Sequence, residues 1–212
     1  MPRPFEEKVL SSISVRALAN PEEIAQRRSL LSKPHMAKLT DWVAGLRKRF
    51  PDQEFPDFDP LGGGVASDML FLKEKPGPRT SRIGGGSGFV SVDNNDPTAE
   101  AARRFLHAAE IDHARTCNWN LIPGWDQTIR YRARDWQSGL PLLFELLELL
   151  PALRVIILAG KVAQRAKGDL EAADYTVVCS AHISIRVRNG HPDLWSMIPV
   201  RWAEAKAIAD GT

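Results

Sequence analysis

Residues 153–159 read Leu-Arg-Val-Ile-Ile-Leu-Ala and are followed by Gly160. A short aliphatic run that stops at glycine predicts a strand buried on both faces, which is typical of parallel sheets. Three further short strand patterns occur at residues 68–72, 116–119 and 175–179. Helical patterns separate the four runs. The sequence therefore predicts an α/β fold with three layers, α/β/α, around a central and mostly parallel sheet of four strands.

The helical segments between the strands carry recognisable signals. Asp96-Pro97 opens one helix, residues 140–150 form a strongly apolar second helix, and residues 193–208 form a closing helix with one apolar face. An Asp before a Pro is a strong start signal because the side chain caps the first free N–H groups and proline needs none. These helices are expected to cover both faces of the sheet.

The N-terminal part of the chain also predicts helices. Asn20-Pro21-Glu22-Glu23 combines a capping side chain, a proline at the first helical position and acids in the first turn. We expect two or three helices here, with a break near Pro34, followed by a loop over residues 50–64. The chain is interpreted as one domain over residues 1–212, with residues 1–60 as a helical extension packed on it.

Composition restricts the classes of function. The chain has 28 Lys and Arg residues against 26 Asp and Glu residues, a net charge of +2, so contact with nucleic acid would depend on a local basic surface. Cys117 and Cys179 are the only cysteines, too few for a four-cysteine cluster, and no metal or other cofactor is expected. Without a signal-peptide pattern or an apolar run of about 20 residues, we expect a cytoplasmic monomer that does not contact membranes.

A ligand site is expected beyond the carboxyl ends of the parallel strands, where loops and helix N-termini converge. Polar and aromatic residues cluster in the segments that follow the four predicted strands, at residues 73–78, 118–125, 160–161 and 180–188. The glycine-rich residues 84–89 do not match the dinucleotide fingerprint, since Phe89 stands where the last glycine is required. Gly160-Lys161 is not a P-loop, since Val155 stands where its first glycine is required. A nucleotide-cofactor enzyme is therefore disfavoured.

Four motifs follow one another in these loops. They read Leu72-Lys73-Glu74-Lys75-Pro76-Gly77-Pro78, Ser87-Gly88-Phe89-Val90-Ser91, Asn118-Trp119-Asn120-Leu121-Ile122-Pro123 and Ala181-His182-Ile183-Ser184-Ile185-Arg186. Their order and placement over residues 67–208 resemble the uracil-DNA glycosylase superfamily, especially the branch whose first motif is Glu-Ala-Pro-Gly. The resemblance implies hydrolysis of the N-glycosidic bond of uracil, or of a related deaminated base, in DNA during base-excision repair. The implied partner is DNA that contains such a base.

The resemblance also implies a role for each matching residue that binds the base. Phe89 would be the aromatic surface on which the extruded base stacks, and stacking of this kind contributes about 1–3 kcal/mol. Asn120 would pair with the uracil edge, because an amide both donates and accepts hydrogen bonds. Asn118 is an alternative, because residues two apart on a strand point to the same face.

Two residues are implied in catalysis. His182 would donate a hydrogen bond to the leaving uracil, which gains negative charge in the transition state. Glu74 would orient the attacking water and stabilise the cationic sugar. Asp96 is a second candidate for that carboxylate, although its position before Pro97 also fits a helix cap.

The remaining residues of the motifs are implied to contact DNA. Pro76, Gly77 and Pro78 would shape the loop against the phosphate backbone, and Ser184 and Arg186 would border the duplex. Ile185, beside them, is interpreted as an apolar wedge.

The sequence departs from the family pattern at three points. It lacks the four cysteines of an iron–sulfur cluster, and Ile183 replaces the proline of the usual His-Pro-Ser motif. Lys75 follows Glu74 where relatives carry Ala, Asp or Asn, and an ammonium beside the sugar would oppose a cationic transition state. Lys75 could instead contact a phosphate, or act as an amine nucleophile if its pKa were lowered.

Three functions therefore remain open from the sequence. The first is an active glycosylase, and the second is a glycosylase-like module that binds DNA or a base without turnover because of Lys75. The third is an unrelated α/β protein such as a small-molecule hydrolase, which is disfavoured because no Gly-x-Ser-x-Gly motif is present.

Overall fold

The computed structural model describes residues 15–212, which form an α/β fold. The strands are β1 (Asp57–Phe58), β2 (Met69–Lys73), β3 (Phe89–Val90), β4 (Thr116–Asn120), β5 (Val155–Ala159) and β6 (Val177–Ser180). The α-helices are α1 (Pro21–Ser29), α2 (Pro34–Arg49), α3 (Pro97–Ala108), α4 (Ala133–Glu148), α5 (Lys167–Ala172), α6 (Ile185–Gly190) and α7 (Pro192–Asp210). Within residues 15–212, no helix combines the length and apolar character needed to span a bilayer.

The central sheet has four parallel strands in the order β4-β2-β5-β6. This confirms the predicted four-stranded parallel sheet, and all four predicted strands are present with shifts of one or two residues at their ends. β2 lies between β4 and β5, with Lys73 in register with Asn120 and Leu72 in register with Leu158. The carboxyl ends of β2 and β4 therefore coincide at one edge of the molecule.

The two faces of the sheet pack against different helices. Leu70 and Leu72 of β2 belong to a core that includes Leu39 of α2 and several leucines of α4. Met69 and Phe71 point to the other face and belong to a second core with Trp202 of α7. This alternation along one strand confirms the predicted α/β/α layering.

Two predictions of local structure need correction. The segment 50–64, predicted as a loop, contains β1, which pairs in parallel with β3 through Asp57 opposite Phe89 and Phe58 opposite Val90. A two-residue strand has no detectable alternation, so the sequence could not reveal it. The helix predicted over residues 140–150 begins at Ala133, because its first turns are largely exposed and polar and lack the apolar pattern of the later turns.

A buried ion-pair cluster joins α1 to the segments that carry β1 and β3. The guanidinium of Arg27 donates from Nη1 to Asp59 Oδ2 at 2.5 Å and from Nη2 to Asp93 Oδ2 at 2.6 Å. Ser91 Oγ donates a further hydrogen bond to Asp59. All four side chains are buried. The N-terminal helix is thus held by charges that are satisfied only in the folded arrangement.

We expect Arg27→Met to lower the free energy of unfolding by about 3–5 kcal/mol, because two buried carboxylates would lose their shared cation. Arg49→Met is the matched control, since Arg49 pairs with Glu145 at the surface and such a pair contributes about 1 kcal/mol or less. Urea unfolding of both variants near pH 7 measures the difference. Equal losses in the two variants would contradict a structural role for the buried cluster.

Candidate active site

A cleft of about 410 Å³ opens at the carboxyl ends of β2 and β4. Its volume lies in the range of small-molecule sites, which is about 300–1,000 Å³. The cleft is lined by residues 73–80, Val90, Ser91, Asn94, residues 96–99, Asn120, Ile129 and His182. The loops predicted to share one crevice after the first, second and fourth strands of the sheet therefore do so.

Glu74, Asn120 and His182 all line this cleft. Glu74 follows β2 directly, Asn120 is the last residue of β4, and His182 follows β6. Parallel strands bring these three positions together although more than a hundred residues separate Glu74 from His182.

The structure separates the two candidate asparagines. Asn118 Nδ2 donates to Thr116 Oγ1 at 3.4 Å, and Asn118 lines a separate cavity of about 10 Å³ with Asp59 and His113. Asn120 lies at the cleft, and among residues 15–212 its amide has no hydrogen-bond partner. An amide whose donors and acceptor are unused by the protein is available to a ligand.

The carboxylate of Glu74 is partly buried at the rim of the cleft. Burial raises the pKa of Glu74 above its ordinary value, and the positive charge of Lys75 opposes that rise. No hydrogen bond within the described part of the chain holds this carboxylate. It is therefore free to accept one from a water molecule or a ligand.

His182 is held against the strand end by a close backbone approach. Gly160 follows β5 with φ of +96°, and a Cβ atom added there would stand 2.8 Å from the Cβ of His182. Burial, followed by the nearby positive charge of Lys73, lowers the pKa of His182 below its usual value of 6.5. The imidazole is therefore neutral at pH 7 and carries one N–H donor.

Phe89 is not brought to the cleft surface. Its side chain has 0% exposure, whereas the next residue, Val90, lines the cleft. Asn94 holds this wall in place, because its Nδ2 donates to Phe89 O at 2.9 Å and its Oδ1 accepts from Ser87 Oγ at 2.5 Å. In this structure Phe89 supports the wall and offers no exposed ring face for stacking.

Lys75 is engaged in an ion pair. Its Nζ lies 2.5 Å from Asp126 Oδ1 and 3.2 Å from Arg130 O, and its side chain is only 4% exposed. Asp126, in the loop after β4, neutralises the positive charge of this ammonium. The partner could not be foreseen, because it is 51 residues away in the chain.

The glycine-rich segment packs closely against the turn that follows β2. A Cβ atom at Gly84 would stand 2.7 Å from Pro78 O, and one at Gly86 would stand 2.2 Å from Arg79 O. Only glycine permits this close approach to the Pro76-Gly77-Pro78 turn, and all three of these residues line the cleft.

The other predicted site residues have clear positions. Asp96 caps α3, accepting from Thr98 N at 2.8 Å and Ala99 N at 2.9 Å, and it also lines the cleft. Ser184 caps α6 through Val187 N at 3.3 Å. Arg186 and Ile185 are exposed on that helix and lie outside the lining of the cleft.

Lys73 is a cleft residue that the sequence did not single out. It ends β2 and lines the cleft, and among residues 15–212 its amine has neither an ion pair nor a hydrogen bond. Burial lowers the pKa of Lys73 to about 8, an effect that the negative charge of Asp96 partly offsets. The only sequence signal was its position at a strand end, which it shares with many structural residues.

A possible cation site lies away from the cleft. Asp59, Asp93 and His113 bring ligand atoms within 4.8 Å of one another. The guanidinium of Arg27 already donates to both carboxylates, so the positive charge that this cluster needs comes from the protein itself.

Comparison with known proteins gives a distant likeness. The chain resembles the solution NMR structure of a "putative Uracil DNA glycosylase" from Methanosarcina acetivorans, with a TM-score of 0.46 and 17% identity over 67% of this chain and 92% of that chain. No protein-family model and no curated protein matches the sequence. A likeness at this level assigns no family.

We expect Lys73→Met to raise the free energy of unfolding at pH 7 by about 1–2 kcal/mol, because it removes an unpaired, partly buried ammonium. The folded pKa of about 8 lies below the ordinary 10.5, so the charged form favours unfolding. The gain should be complete below about pH 8 and should fade as the pH rises toward 10.5.

Urea unfolding between pH 7 and pH 10 measures this dependence. Lys75→Met serves as the control, since it removes a lysine that is paired with Asp126 and should bring no gain. A loss of stability in Lys73→Met that is independent of pH would contradict the assignment.

Proposed function

We propose that this chain is a DNA glycosylase that hydrolyses the N-glycosidic bond of uracil, or of a related deaminated base, in DNA. The observation that carries the proposal is the meeting of Glu74, Asn120 and His182 in one cleft. These three side chains supply a carboxylate, an unpaired amide and a neutral imidazole. The amide can bind the base, the carboxylate can activate the attacking water, and the imidazole can stabilise the leaving group.

Base recognition would begin with extrusion of the nucleotide from the duplex. Unstacking costs a few kcal/mol, and contacts inside the cleft must recover it. Asn120 can accept a hydrogen bond from the uracil N3–H and donate one to the neighbouring carbonyl oxygen, whereas cytosine presents its acceptor at N3 and its donor at N4, in the reverse order. The buried position of Asn120 would strengthen these bonds by excluding water.

Departure of uracil leaves negative charge on the base. The neutral imidazole of His182 would donate its N–H to a carbonyl oxygen of uracil, where that charge develops. Removing one donor of this kind costs about 3–4 kcal/mol in comparable sites. Gly160 would contribute indirectly, because it permits the packing that orients His182.

The sugar becomes cationic as the glycosidic bond breaks. The carboxylate of Glu74 would stabilise that charge and accept a proton from the attacking water. The ion pair between Lys75 and Asp126 supports this role, because it offsets the repulsion between an ammonium and the cationic sugar. The ion pair therefore disfavours the alternative in which Lys75 leaves a glycosylase-like module that binds DNA or a base without catalysis.

The DNA strand would follow the rim of the cleft. The Pro76-Gly77-Pro78 turn and the exposed Arg79 lie on one side. Ile129 also lines the cleft and is 73% exposed, beside the exposed Arg130. Ser184 and Arg186 would border the duplex near His182, with the exposed Ile185 as a wedge. The modest net charge makes such local contacts the source of affinity.

We expect the protein to release uracil from a uracil-containing oligonucleotide, and Asn120→Ala to lower that activity by about 10²–10³-fold, because a buried base edge would lose its partner. Asn118→Ala is the matched control, since Asn118 lies on the same strand but outside the cleft. Its activity should stay within about threefold of the unchanged protein.

Alkali treatment and denaturing electrophoresis of single- and double-stranded substrates measure the abasic sites formed. The proposal fails if the unchanged protein forms none with uracil, hypoxanthine or xanthine. It also fails if Asn118→Ala and Asn120→Ala lose activity equally while both remain folded.

Uracil release should fall on the acid side as Glu74 becomes protonated, because only the carboxylate can accept the proton of water. The raised pKa of Glu74 places this fall above the ordinary value of 4.5. Glu74→Gln should lower the rate by about 10²–10⁴-fold and remove the acid limb from the residual activity. Single-turnover rates between pH 4 and pH 8 test this, with Glu148→Gln, at an exposed position of α4, as the control.

A further inference from the structure

Lys73 and Lys75 both line the cleft, but they differ in their partners. Lys75 is held by Asp126 and Arg130 O, whereas the amine of Lys73 has no partner within the described part of the chain. Lys73 ends β2 in register with Asn120, so it lies beside the residue proposed to bind the base. Asp96 and His182 are the charged or titratable groups that act on it electrostatically.

An unpartnered, partly buried amine is costly to the fold, and burial shifts it toward the uncharged form. The lowered pKa of about 8 leaves about a tenth of Lys73 uncharged at pH 7. For an ordinary lysine, the uncharged fraction at that pH is less than about a thousandth. Only the uncharged amine is a nucleophile, and such lysines form imines with carbonyl compounds.

We propose that Lys73 is a second catalytic residue, whose amine attacks the aldehyde of an abasic site in the cleft and cleaves the DNA strand by β-elimination. This inference rests on the proposed glycosylase function, because removal of a base would create that aldehyde in the same cleft. The substrate class is DNA with an abasic deoxyribose. The added activity is that of a lyase.

The reaction needs no oxidant, reductant or metal. The lone pair of Lys73 Nζ forms a bond to C1′ of the open-chain sugar. The carbonyl oxygen then takes up one proton from the amine and one from solvent and leaves as water, which gives a protonated imine. The neutral imidazole of His182 takes a proton from C2′. The electrons of that C–H bond form a C2′=C3′ double bond, and the C3′–O bond breaks, so that the 3′ phosphate departs as the leaving group. Water then hydrolyses the imine, which restores the amine and releases the unsaturated aldehyde.

The experiment uses the full chain with an oligonucleotide whose abasic site is made before the protein is added. Sodium cyanoborohydride reduces the imine to a stable amine, which joins protein and DNA. We expect a cross-linked band on a denaturing gel, and peptide mass spectrometry should place the adduct on Lys73. Lys73→Arg should lower the yield by at least about a hundredfold, because a guanidinium keeps the charge but does not form an imine. Lys167→Arg, at an exposed position of α5 outside the lining of the cleft, should stay within about threefold.

The rate of trapping has an expected pH dependence. It should rise about tenfold per pH unit below pH 8 and level off above it, since the uncharged fraction follows a pKa of about 8. A rise that continues to pH 10 would assign the adduct to an ordinary surface amine and overturn the proposal.

Preformed abasic DNA separates this inference from the proposed function. Trapping on Lys73 without release of uracil, hypoxanthine or xanthine would leave the lyase standing and refute the glycosylase. Release of uracil without an adduct on Lys73, or with the adduct on another residue, would refute the lyase alone. Mapping the adduct in the unchanged protein decides the matter even if Lys73→Arg does not fold.

Discussion

The site depends on the parallel register of β2 with its neighbours. β2 is buried between β4 and β5, and the register sets Lys73 opposite Asn120. A shift of one residue would turn Asn120 toward the opposite face and place Trp119, now in the core, at the cleft. Because the apolar side chains on both faces of β2 resist such a shift, core packing also determines the geometry of the cleft.

Among residues 15–212, some buried ionisable side chains are paired with opposite charges and others are not. Away from the cleft, Arg27 is matched by two carboxylates, and this arrangement serves the fold. In the cleft, Lys73 and Glu74 lack such partners among residues 15–212. Burial lowers the pKa of Lys73 and raises that of Glu74, so it favours the neutral form of each side chain. Unpaired groups of this kind weaken a fold, and they are typical of sites where a ligand supplies the missing partner.

Much of the site could be predicted from the sequence, because each strand end is marked by a short apolar run and a following polar motif. The strand ends located these loops, and the resemblance of their motifs to a known family singled out Glu74, Asn120 and His182, which the structure brings to one cleft. Phe89 was predicted as a stacking surface, but its depth depends on the pairing of β3 with β1, and β1 left no sequence signal. The choice between asparagines on one strand face likewise needed coordinates.

The sequence by itself determined the fold class, the chain order of the four central strands, and the ends of those strands to within two residues, because these follow from local apolar runs and from the residues that end them. Only the tertiary structure decided how the charges are shared. Asp126 neutralises Lys75, whereas no described residue pairs with Lys73. Gly160 permits the close packing of His182 against the end of β5. These relations join residues far apart in the chain, and a pKa depends on burial and on neighbours in space, neither of which is encoded in sequence spacing.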